Sequence, residues 1–478
     1  MRILASLSRH IVLKGSEPAL KRYIRSTSAL KIQLLAPNKA AQGAVINVPY
    51  DVDKKMQTHP ELQTHPEYFS KEIVQLAENV YQAFGFAASN VYLIVGDDGV
   101  VIIDTTESTG AAENILAEFR QITQLPIKTI IYTHSHRDHV SGATVFAKDT
   151  NPDILASNKY SDDSLAVATN HPLPTKAMQA RTKRQFGIGL SYPDEFIGIG
   201  VGPGDRPMKG LGAGSLAPTR RIDDDGEDLF ICGIHLQLVM APGETPDHMV
   251  VWYPAKKILF CGDNFYRSFP NLYAIRGTAY RDFDTWVDTL DLLMNFNAEI
   301  LAPGHTRAIT DTGEVRALLG DYRNAIDHVI TETRNGMDAG LTIDQLAQSV
   351  KLPEHLAHKP HLREYYGRVD WSVRAYCAGT LGWFDGNPTS LNTLAPNEEA
   401  RRFIDLIGGV DALISETEKA RQAGDYQWAL QLIDRLLFLE DENEQAGAIK
   451  ATLLIEFAGE QINCCARHYY LTYAKELG

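Results

Sequence analysis

The distribution of apolar and polar residues divides the chain into parts of different character. Over residues 85–312, short β-branched and apolar runs, typical of strands, alternate with stretches of helical periodicity. Over residues 313–478, apolar positions recur almost wholly at helical spacing, separated by glycine and proline. The pattern predicts an α/β domain followed by an all-α domain. Residues 1–84 are weakly patterned and form a predicted N-terminal extension.

Several individual elements of the α/β region can be predicted. Residues 91–95 and 100–104 are apolar runs joined by Gly-Asp-Asp-Gly, which predicts a β-hairpin. The apolar, β-branched run 129–132 predicts a buried strand. The glycine-rich stretch 187–214 predicts a long loop. Further strands are predicted at 235–240, 249–253, 257–261 and 300–302, and further helices over 109–124, from Ser141 onward, over 157–169 and over 284–295.

A cluster of possible metal ligands follows the strand at 129–132. His134, His136, Asp138 and His139 occur at the spacing His-x-His-x-Asp-His, on a predicted strand-to-helix loop where side chains can converge. Imidazole nitrogens and carboxylate oxygens are ligands of zinc and iron. A solvated polar loop is the alternative. We favour a metal site because this spacing directly after a strand seldom arises by chance.

Three later segments add candidate ligands. The segment Ala-Pro-Gly-Glu-Thr-Pro-Asp-His ends at His248, Cys-Gly-Asp ends at Asp263, and Ala-Pro-Gly-His ends at His305. Each borders a predicted strand, and each contains a glycine that lets the backbone approach neighbouring groups closely. We therefore expect these three side chains to join the cluster.

Composition narrows the range of functions. The chain has 478 residues, 44% of them hydrophobic, and a formal net charge of −14, which disfavours nucleic acid as a partner and a nuclease as the activity. The five cysteines form no zinc or redox pattern and are expected to be reduced and mostly buried. No apolar stretch reaches the roughly 18 residues of a membrane-spanning helix. The N-terminus makes a poor secretory signal, so we expect a cytoplasmic location, with the periplasm or secretion as alternatives.

In its ligand order, the chain resembles the metallo-β-lactamase superfamily over about residues 85–310. The resemblance implies an αβ/βα sandwich with a dinuclear site at one edge. It also implies two zinc ions per chain, with iron and manganese as alternatives. By position, one metal would be bound by His134, His136 and His248, the other by Asp138, His139 and His305, and both by Asp263.

The segment Asn-Leu-Tyr-Ala-Ile-Arg-Gly at 271–277 resembles the Asn-Leu-Tyr-x-x-Arg-Gly segment of the alkylsulfatases, which hydrolyse detergent-type sulfate esters. The resemblance implies that Asn271 and Arg276 hold the sulfate and that Tyr273 lies beside it. A guanidinium can bind a tetrahedral oxyanion through two parallel hydrogen bonds. An arginine in a surface ion pair is the alternative.

The helical half resembles the dimerisation domain of the same enzymes, through Leu-Arg-Glu-Tyr-Tyr-Gly at 362–367 and Gly-Trp-Phe-Asp-Gly-Asn-Pro at 382–388. There the Tyr-Tyr-Gly segment reaches towards the sulfate, which implies a substrate contact by Tyr365 or Tyr366 and a homodimer. The implied catalytic residues are Asp138, Asn271, Arg276 and Tyr366.

Three features depart from the alkylsulfatase pattern. Those enzymes usually carry glutamate where this chain has His248 and Asp263, and their last ligand lies in His-His-Trp-Pro where this chain has Pro-Gly-His305. We also expect the sterol-carrier-like C-terminal domain of the family to be missing.

Together these patterns predict a dinuclear zinc hydrolase that cleaves small anionic alkyl sulfate esters to alcohol and sulfate. Another hydrolase of the same fold (a lactonase, a thioesterase or a β-lactamase) is the main alternative. A non-enzymatic helical scaffold with a vestigial metal fold is a further one, and the complete ligand set argues against it.

Overall fold

The first strands of the domain pair with one another in sequence order. The computed structural model describes residues 57–161 and 175–477, and in it a seven-stranded sheet has the order β1 to β7. Its strands are β1 (Glu72–Ala77), β2 (Val80–Phe84), β3 (Val91–Val95), β4 (Val100–Ile103), β5 (Ile127–Ile131), β6 (Asp153–Ser157) and β7 (Arg220–Ile222). Strands β1 to β4 are antiparallel, and β4 to β7 are parallel.

A second sheet of five strands has the order β12-β11-β10-β9-β8. Its strands are β8 (Glu227–Ile231), β9 (Ile234–Met240), β10 (Met249–Tyr253), β11 (Ile258–Gly262) and β12 (Ile300–Pro303). Strands β8 to β11 are antiparallel, and β12 is parallel to β11. The β11–β12 pair brings the loops after both strands to one edge of the sheet.

The interior between the two sheets is a single apolar cluster. Val101 and Ile131 of the first sheet and Leu236 and Phe260 of the second belong to it, and all are fully buried. The ring of Phe260 meets that of Tyr92 edge-on, with ring centroids 5.0 Å apart. The two sheets therefore form a sandwich with a dry interior.

Helices cover the outer faces of both sheets. Ile115 and Phe119 of α2 pack on the first sheet, and Trp286 of α6 packs on the second. The helices of this half are α1 (Pro60–Thr64), α2 (Thr109–Ile122), α3 (Arg137–Val140), α4 (Ala143–Phe146), α5 (Thr175–Gln185) and α6 (Phe283–Asn295), with 3₁₀ turns at His65–Phe69 and Pro254–Lys256. The predicted αβ/βα sandwich is confirmed.

The second half is helical, as predicted. It begins with the 27-residue α7, whose N-terminus is capped by the Asp311 carboxylate and whose apolar side packs against α6. The helices are α7 (Thr312–Asp338), α8 (Ile343–Ser349), α9 (Glu354–Ala357), α10 (Val369–Leu381), α11 (Pro396–Ile407), α12 (Val410–Gln422), α13 (Tyr426–Leu439), α14 (Glu444–Ala458) and α15 (Cys464–Leu477), with 3₁₀ turns at Pro360–Leu362 and Pro388–Leu391.

Some sequence predictions need correction. The predicted boundary at residue 84 falls inside the first sheet, because β1 pairs with β2 and β2 pairs with β3. The helix expected from Ser141 is present as α4, which begins at Ala143 with Gly142 as its N-cap, and Ser141 is instead the C-cap of the preceding helix α3. The start of the helix predicted over 157–169 lies in β6, and 162–169 lie outside the described residues, as do residues 1–56 of the predicted extension.

Two expectations from composition hold in the described residues. None of their helices is both long and apolar enough to cross a membrane. All five cysteines are free, and four of them are buried. The adjacent Cys464 and Cys465 lie on α15 and are both buried.

The sandwich interior predicts a stability difference between two phenylalanines. Phe260→Ala should lower the free energy of unfolding by about 3–5 kcal/mol, because it opens a cavity between the sheets. Phe230→Ala on strand β8 is the matched control: its side chain is 74% exposed, so a change within about 0.5 kcal/mol is expected. Denaturant unfolding of both variants measures the difference, and equal losses would contradict the packing described here.

Candidate metal centre

The His-x-His-x-Asp-His motif is anchored where two parallel strands end side by side. Asp104 follows β4 and Thr133 follows β5, so the two residues meet at the same edge. The Thr133 main-chain N–H and hydroxyl donate to the Asp104 carboxylate at 2.8 and 2.9 Å. Asp104 adopts a left-handed backbone conformation with φ of 57°, which turns the chain sharply after the strand. The motif loop is therefore fixed before its first histidine.

A first group of ligand atoms comes from His134, His136, Glu244 and Asp263, all within 4.8 Å of one another. The Glu244 Oε2 atom lies 3.6 Å from His134 Nε2 and 3.3 Å from His136 Nδ1. The Asp263 Oδ2 atom lies 3.7 Å from His134 Nε2. Two imidazoles and two carboxylates therefore face one point.

A second group comes from Asp138, His139, Asp263 and His305, again within 4.8 Å of one another. The Asp263 Oδ2 atom lies 3.3 Å from His139 Nε2 and 3.2 Å from His305 Nε2. The Asp138 Oδ2 atom lies 3.3 Å from His305 Nε2. Asp263 belongs to both groups, so its carboxylate occupies a bridging position.

Hydrogen bonds on the far side of two imidazoles orient their free nitrogens. His139 Nδ1 lies 2.8 Å from the Asp104 carboxylate, and His305 Nδ1 lies 2.7 Å from the Ala88 carbonyl oxygen. Both partners are acceptors, so Nδ1 donates to them and Nε2 is the nitrogen that faces the cluster. Gly304 permits the close approach, because a Cβ atom there would come within 2.2 Å of Asp263 Oδ1.

The chemistry of these groups fits bound cations. His139 Nε2, Glu244 Oε2 and Asp263 Oδ1 are buried and have no hydrogen-bond partner among the described residues. Buried polar atoms without a partner are costly unless a ligand satisfies them. Histidine nitrogens mixed with carboxylate oxygens suit zinc, iron or manganese. The two groups that share Asp263 therefore fit two metal ions.

The electrostatics of the cluster also favour positive charge. Burial alone would lower the pKa of His305, but the carboxylates of Asp263 and Asp138 outweigh it and raise the pKa to about 10. Burial would raise the pKa of Asp263, yet His139 and His305 hold it well below its usual range. The carboxylates thus create a negative potential that a cation would compensate.

The predicted ligand His248 lies beside the first group, with its ring stacked on that of His134 at a centroid distance of 4.8 Å, and Glu244 is an additional candidate ligand that the sequence analysis did not name. The Nε2 atom of His248 accepts a hydrogen bond from the Asp263 main-chain N–H at 3.0 Å, so that lone pair is already used. Burial lowers the pKa of His248 to about 3, which leaves the ring neutral. His248 therefore supports the backbone that carries Asp263.

Glu244 is held by a buried arginine that the sequence analysis missed. Arg281 Nη1 donates to Glu244 Oε1 at 2.6 Å, and both side chains are only 3% exposed. The same nitrogen also donates to the main-chain carbonyl oxygen of Asn271. The carboxylate is thereby turned so that Oε2 faces the histidines, and the predicted anion segment is tied to the metal cluster.

The predicted anion-binding residues lie on the loop between β11 and α6. Asn271 is buried, and its main-chain N–H donates to the Tyr266 hydroxyl at 2.8 Å. Arg276 and Tyr273 are partly buried on the same loop. Burial and Arg281 lower the pKa of Arg276, while Tyr366, Glu244 and Asp138 oppose them. The guanidinium thus experiences the field of the metal cluster.

The two predicted tyrosines have different surroundings. The Tyr366 ring lies 6.1 Å from that of Tyr266, which in turn lies 5.9 Å from the His305 ring. The Tyr365 hydroxyl instead donates to Glu61 at 3.1 Å, away from the predicted ligands. The structure therefore supports Tyr366 as a residue of the site, and its contacts do not support the substrate contact predicted for Tyr365.

Sequence reasoning missed Asp104, Glu244 and Arg281, for different reasons. Glu244 lies only four positions before His248 in the same segment, and the resemblance assigned the ligand position of that segment to His248. Asp104 ends a predicted strand, where a lone carboxylate gives little indication of function. Arg281 belongs to no recognisable motif.

Comparison with known proteins agrees with this architecture. Residues 84–305 match the metallo-beta-lactamase superfamily, and residues 342–478 match the alkyl sulfatase dimerisation family. A linear primary-alkylsulfatase of Pseudomonas sp. (strain ATCC 19151) is 35% identical over 391 residues, which cover 80% of this chain and 73% of that protein.

Two more distant relatives share the same two halves. An alkyl/aryl-sulfatase of Saccharomyces cerevisiae is 29% identical, over 85% of this chain and 64% of its own length. The solved structure of a stereoselective inverting sec-alkylsulfatase from Pseudomonas sp. superposes with a TM-score of 0.79 at 28% identity, covering 88% of this chain and 68% of that one. The chain thus spans roughly two thirds to three quarters of these relatives.

If Glu244 is a metal ligand and His248 is not, substitutions of these two residues should differ in their effect on metal content. Glu244→Gln should reduce bound metal from about two ions per chain to about one, because it removes a charged ligand oxygen. His248→Gln should keep both ions, since the glutamine oxygen can still accept the hydrogen bond of Asp263. Elemental analysis of metal-loaded protein after desalting measures both. Loss of metal in His248→Gln alone would restore the original assignment.

Proposed function

We propose that this chain, which belongs to the alkylsulfatase family of the metallo-β-lactamase superfamily, hydrolyses alkyl sulfate esters at a dinuclear zinc centre. The observation that carries the proposal is the position of Arg276, a partly buried cation on the loop that Arg281 ties to the metal cluster. The 35% identity to a linear primary-alkylsulfatase supports the same substrate class.

The proposed metals would be held by seven side chains. One group of ligands is His134, His136 and Glu244, the other is Asp138, His139 and His305, and Asp263 is common to both. Two bound zinc ions would lower the pKa of a water molecule at neutral pH and stabilise negative charge on the reacting ester. Asp138 is the most open carboxylate ligand, with 34% of its side chain exposed against 4% for Asp263. Substrate would therefore approach from the side of Asp138.

Arg276 is suited to hold the sulfate group. Its guanidinium donates to the Gly277 carbonyl oxygen at 3.1 Å, and the ion pairs of the described residues do not include it. An ion-paired surface arginine, the alternative interpretation, would have a carboxylate partner. Asn271 precedes it on the same loop, and Tyr366 contributes to its electrostatic surroundings. We propose that these three residues bind the sulfate and hold the ester in line with the metals.

The role of Arg276 can be tested with one substitution that removes its charge and one that keeps the charge but changes the shape of the head group. Arg276→Ala should keep the metals but lower kcat/KM for octyl sulfate by a factor of about 10²–10³, as for loss of a charged transition-state contact. Arg276→Lys should recover only part, because a point charge cannot reproduce the planar guanidinium. Steady-state kinetics with elemental analysis measure both effects.

Two controls make this experiment specific. Arg316→Ala removes an exposed arginine of α7 and should leave the kinetics unchanged. A neutral lactone or ester, if it is turned over, should be hydrolysed equally well by wild type and Arg276→Ala. Equal losses on charged and neutral substrates would show that Arg276 supports the fold, and turnover of neutral esters alone would replace the sulfatase proposal by the lactonase or thioesterase alternative.

We further propose a homodimer formed by the helical half. Residues 342–478 match a dimerisation family, and the end of α10 with the segment after it exposes a set of large apolar side chains, called the apolar patch. The patch comprises Leu381, Trp383, Leu391 and Leu394, which are 66%, 75%, 57% and 45% exposed. Large apolar side chains left exposed near one another along the chain are typical of an interface, and a second copy of this chain is the partner that the family match indicates.

The dimer proposal predicts which substitution weakens assembly. Trp383→Asp should shift the protein from dimer to monomer at micromolar concentration, because it places a charge in the apolar patch. Phe230→Asp is the matched control, since Phe230 is as exposed (74%) but lies on strand β8 of the other half. Light scattering measures the mass. A monomeric wild type would refute the dimer, and a dimeric Trp383→Asp would exclude this patch.

A further inference from the structure

One side of helix α5 lies along the segment that carries Arg276. Arg181 Nε and Nη2 donate to the Ile275 carbonyl oxygen at 3.1 and 2.7 Å. The Gln185 side-chain oxygen accepts the Arg276 main-chain N–H at 2.7 Å. A Cβ atom on Gly277 would come within 3.0 Å of the Met178 sulfur. Three consecutive residues of the loop are thus contacted by one helix.

The three contacting residues are spaced for one helix face. Met178, Arg181 and Gln185 follow one another at intervals of three and four, so their side chains project from the same side of α5. The adjacent Arg184 points to α15, where it pairs with Glu476 at 2.6 Å and lies over the Tyr473 ring. Helix α5 is therefore fixed between the C-terminal helix and the Arg276 segment.

Gln185 is the buried residue in the contact between α5 and the Arg276 segment. It is 1% exposed, and its main-chain carbonyl oxygen lies 3.2 Å from His468 Nδ1 of α15. The His468 ring stacks on Phe196, with centroids 4.7 Å apart. Among the described residues, the hydrogen bond to Arg276 is the sole one made by the Gln185 side chain.

A main-chain hydrogen bond at Arg276 controls where its guanidinium can reach. The arginine side chain has several rotatable bonds, so its head group is positioned only if the backbone that carries it is fixed. Without Gln185, the Arg276 N–H would lose its partner in a water-poor region and the segment would shift to find another. A shift on the order of 1 Å at an anion contact is enough to weaken binding substantially.

We propose that Gln185 is a positioning residue of the anion site: it holds the Arg276 backbone so that the guanidinium meets the sulfate group. This inference rests on the proposed function, in which Arg276 binds the sulfate. Gln185 acts through Arg276 and does not touch the substrate. Through His468, the same residue connects the anion site to the C-terminal helix.

Gln185→Met tests the proposal, because methionine keeps the length of the side chain and removes the acceptor. In zinc-loaded protein, the Kd for inorganic sulfate and the KM for octyl sulfate should both rise by roughly 10-fold, with kcat changed by less than about twofold. Metal content should be unchanged. Lys183→Met, on the side of α5 that faces Glu476, is the matched control and should behave as wild type. Arg181→Met should act in the same direction as Gln185→Met.

A double-mutant cycle separates positioning from a general structural effect. If Gln185 acts through Arg276, Gln185→Met should change the sulfate Kd by less than about twofold in an Arg276→Ala background. A similar 10-fold loss in both backgrounds, or wild-type sulfate binding by Gln185→Met, would overturn the proposal. If the wild type fails to hydrolyse octyl sulfate, the sulfatase proposal falls, and the sulfate Kd values still decide the role of Gln185. Circular dichroism of each variant shows that the fold is retained.

Discussion

The burial of several carboxylates at one point is the constraint on which the rest of the site depends. Asp263 and Glu244 are nearly inaccessible to water, and a buried charge is costly unless it is paired. Glu244 is compensated by Arg281, and Asp263 by the imidazoles of His139 and His305. The loops that follow β4, β5, β11 and β12 are arranged to supply these partners, so the sandwich edge is shaped by electrostatics as much as by packing.

The apolar pattern predicted the interior strands β3, β4, β5, β9, β10 and β11 and the edge strand β12, and missed β2 and β6 together with the edge strands β1, β7 and β8. β10 and β11 are almost entirely buried, so each gives a continuous apolar run that is visible in sequence. β1 and β8 each bury a single residue, and their short mixed patterns resemble loops. An edge strand such as β1 is stabilised by its neighbour's hydrogen bonds and leaves little trace in its own residues, whereas β2 is largely buried and was missed although it lies inside the sheet.

For the metal site, the residue spacing identified the His-x-His-x-Asp-His motif. It did not predict the orientation of the candidate ligands that come later in the chain. The loop from Ala241 to His248 offers two ligand types, Glu244 and His248, and their orientation depends on hydrogen bonds from residues farther along the chain, Arg281 for Glu244 and Asp263 for His248. The same limit applies to Arg281 and Gln185, whose partners are determined by tertiary contacts.

The contact of Arg281 with both Glu244 and the Asn271 carbonyl oxygen has a thermodynamic consequence. One guanidinium borders the metal cluster on one side and the anion loop on the other, so the two binding equilibria are linked. If a cation bound beside Glu244 changes the affinity for an anion beside Asn271 by some factor, the bound anion changes the affinity for the cation by the same factor. In the proposed reaction, the retention of product sulfate and the retention of metal would therefore report one and the same coupling free energy.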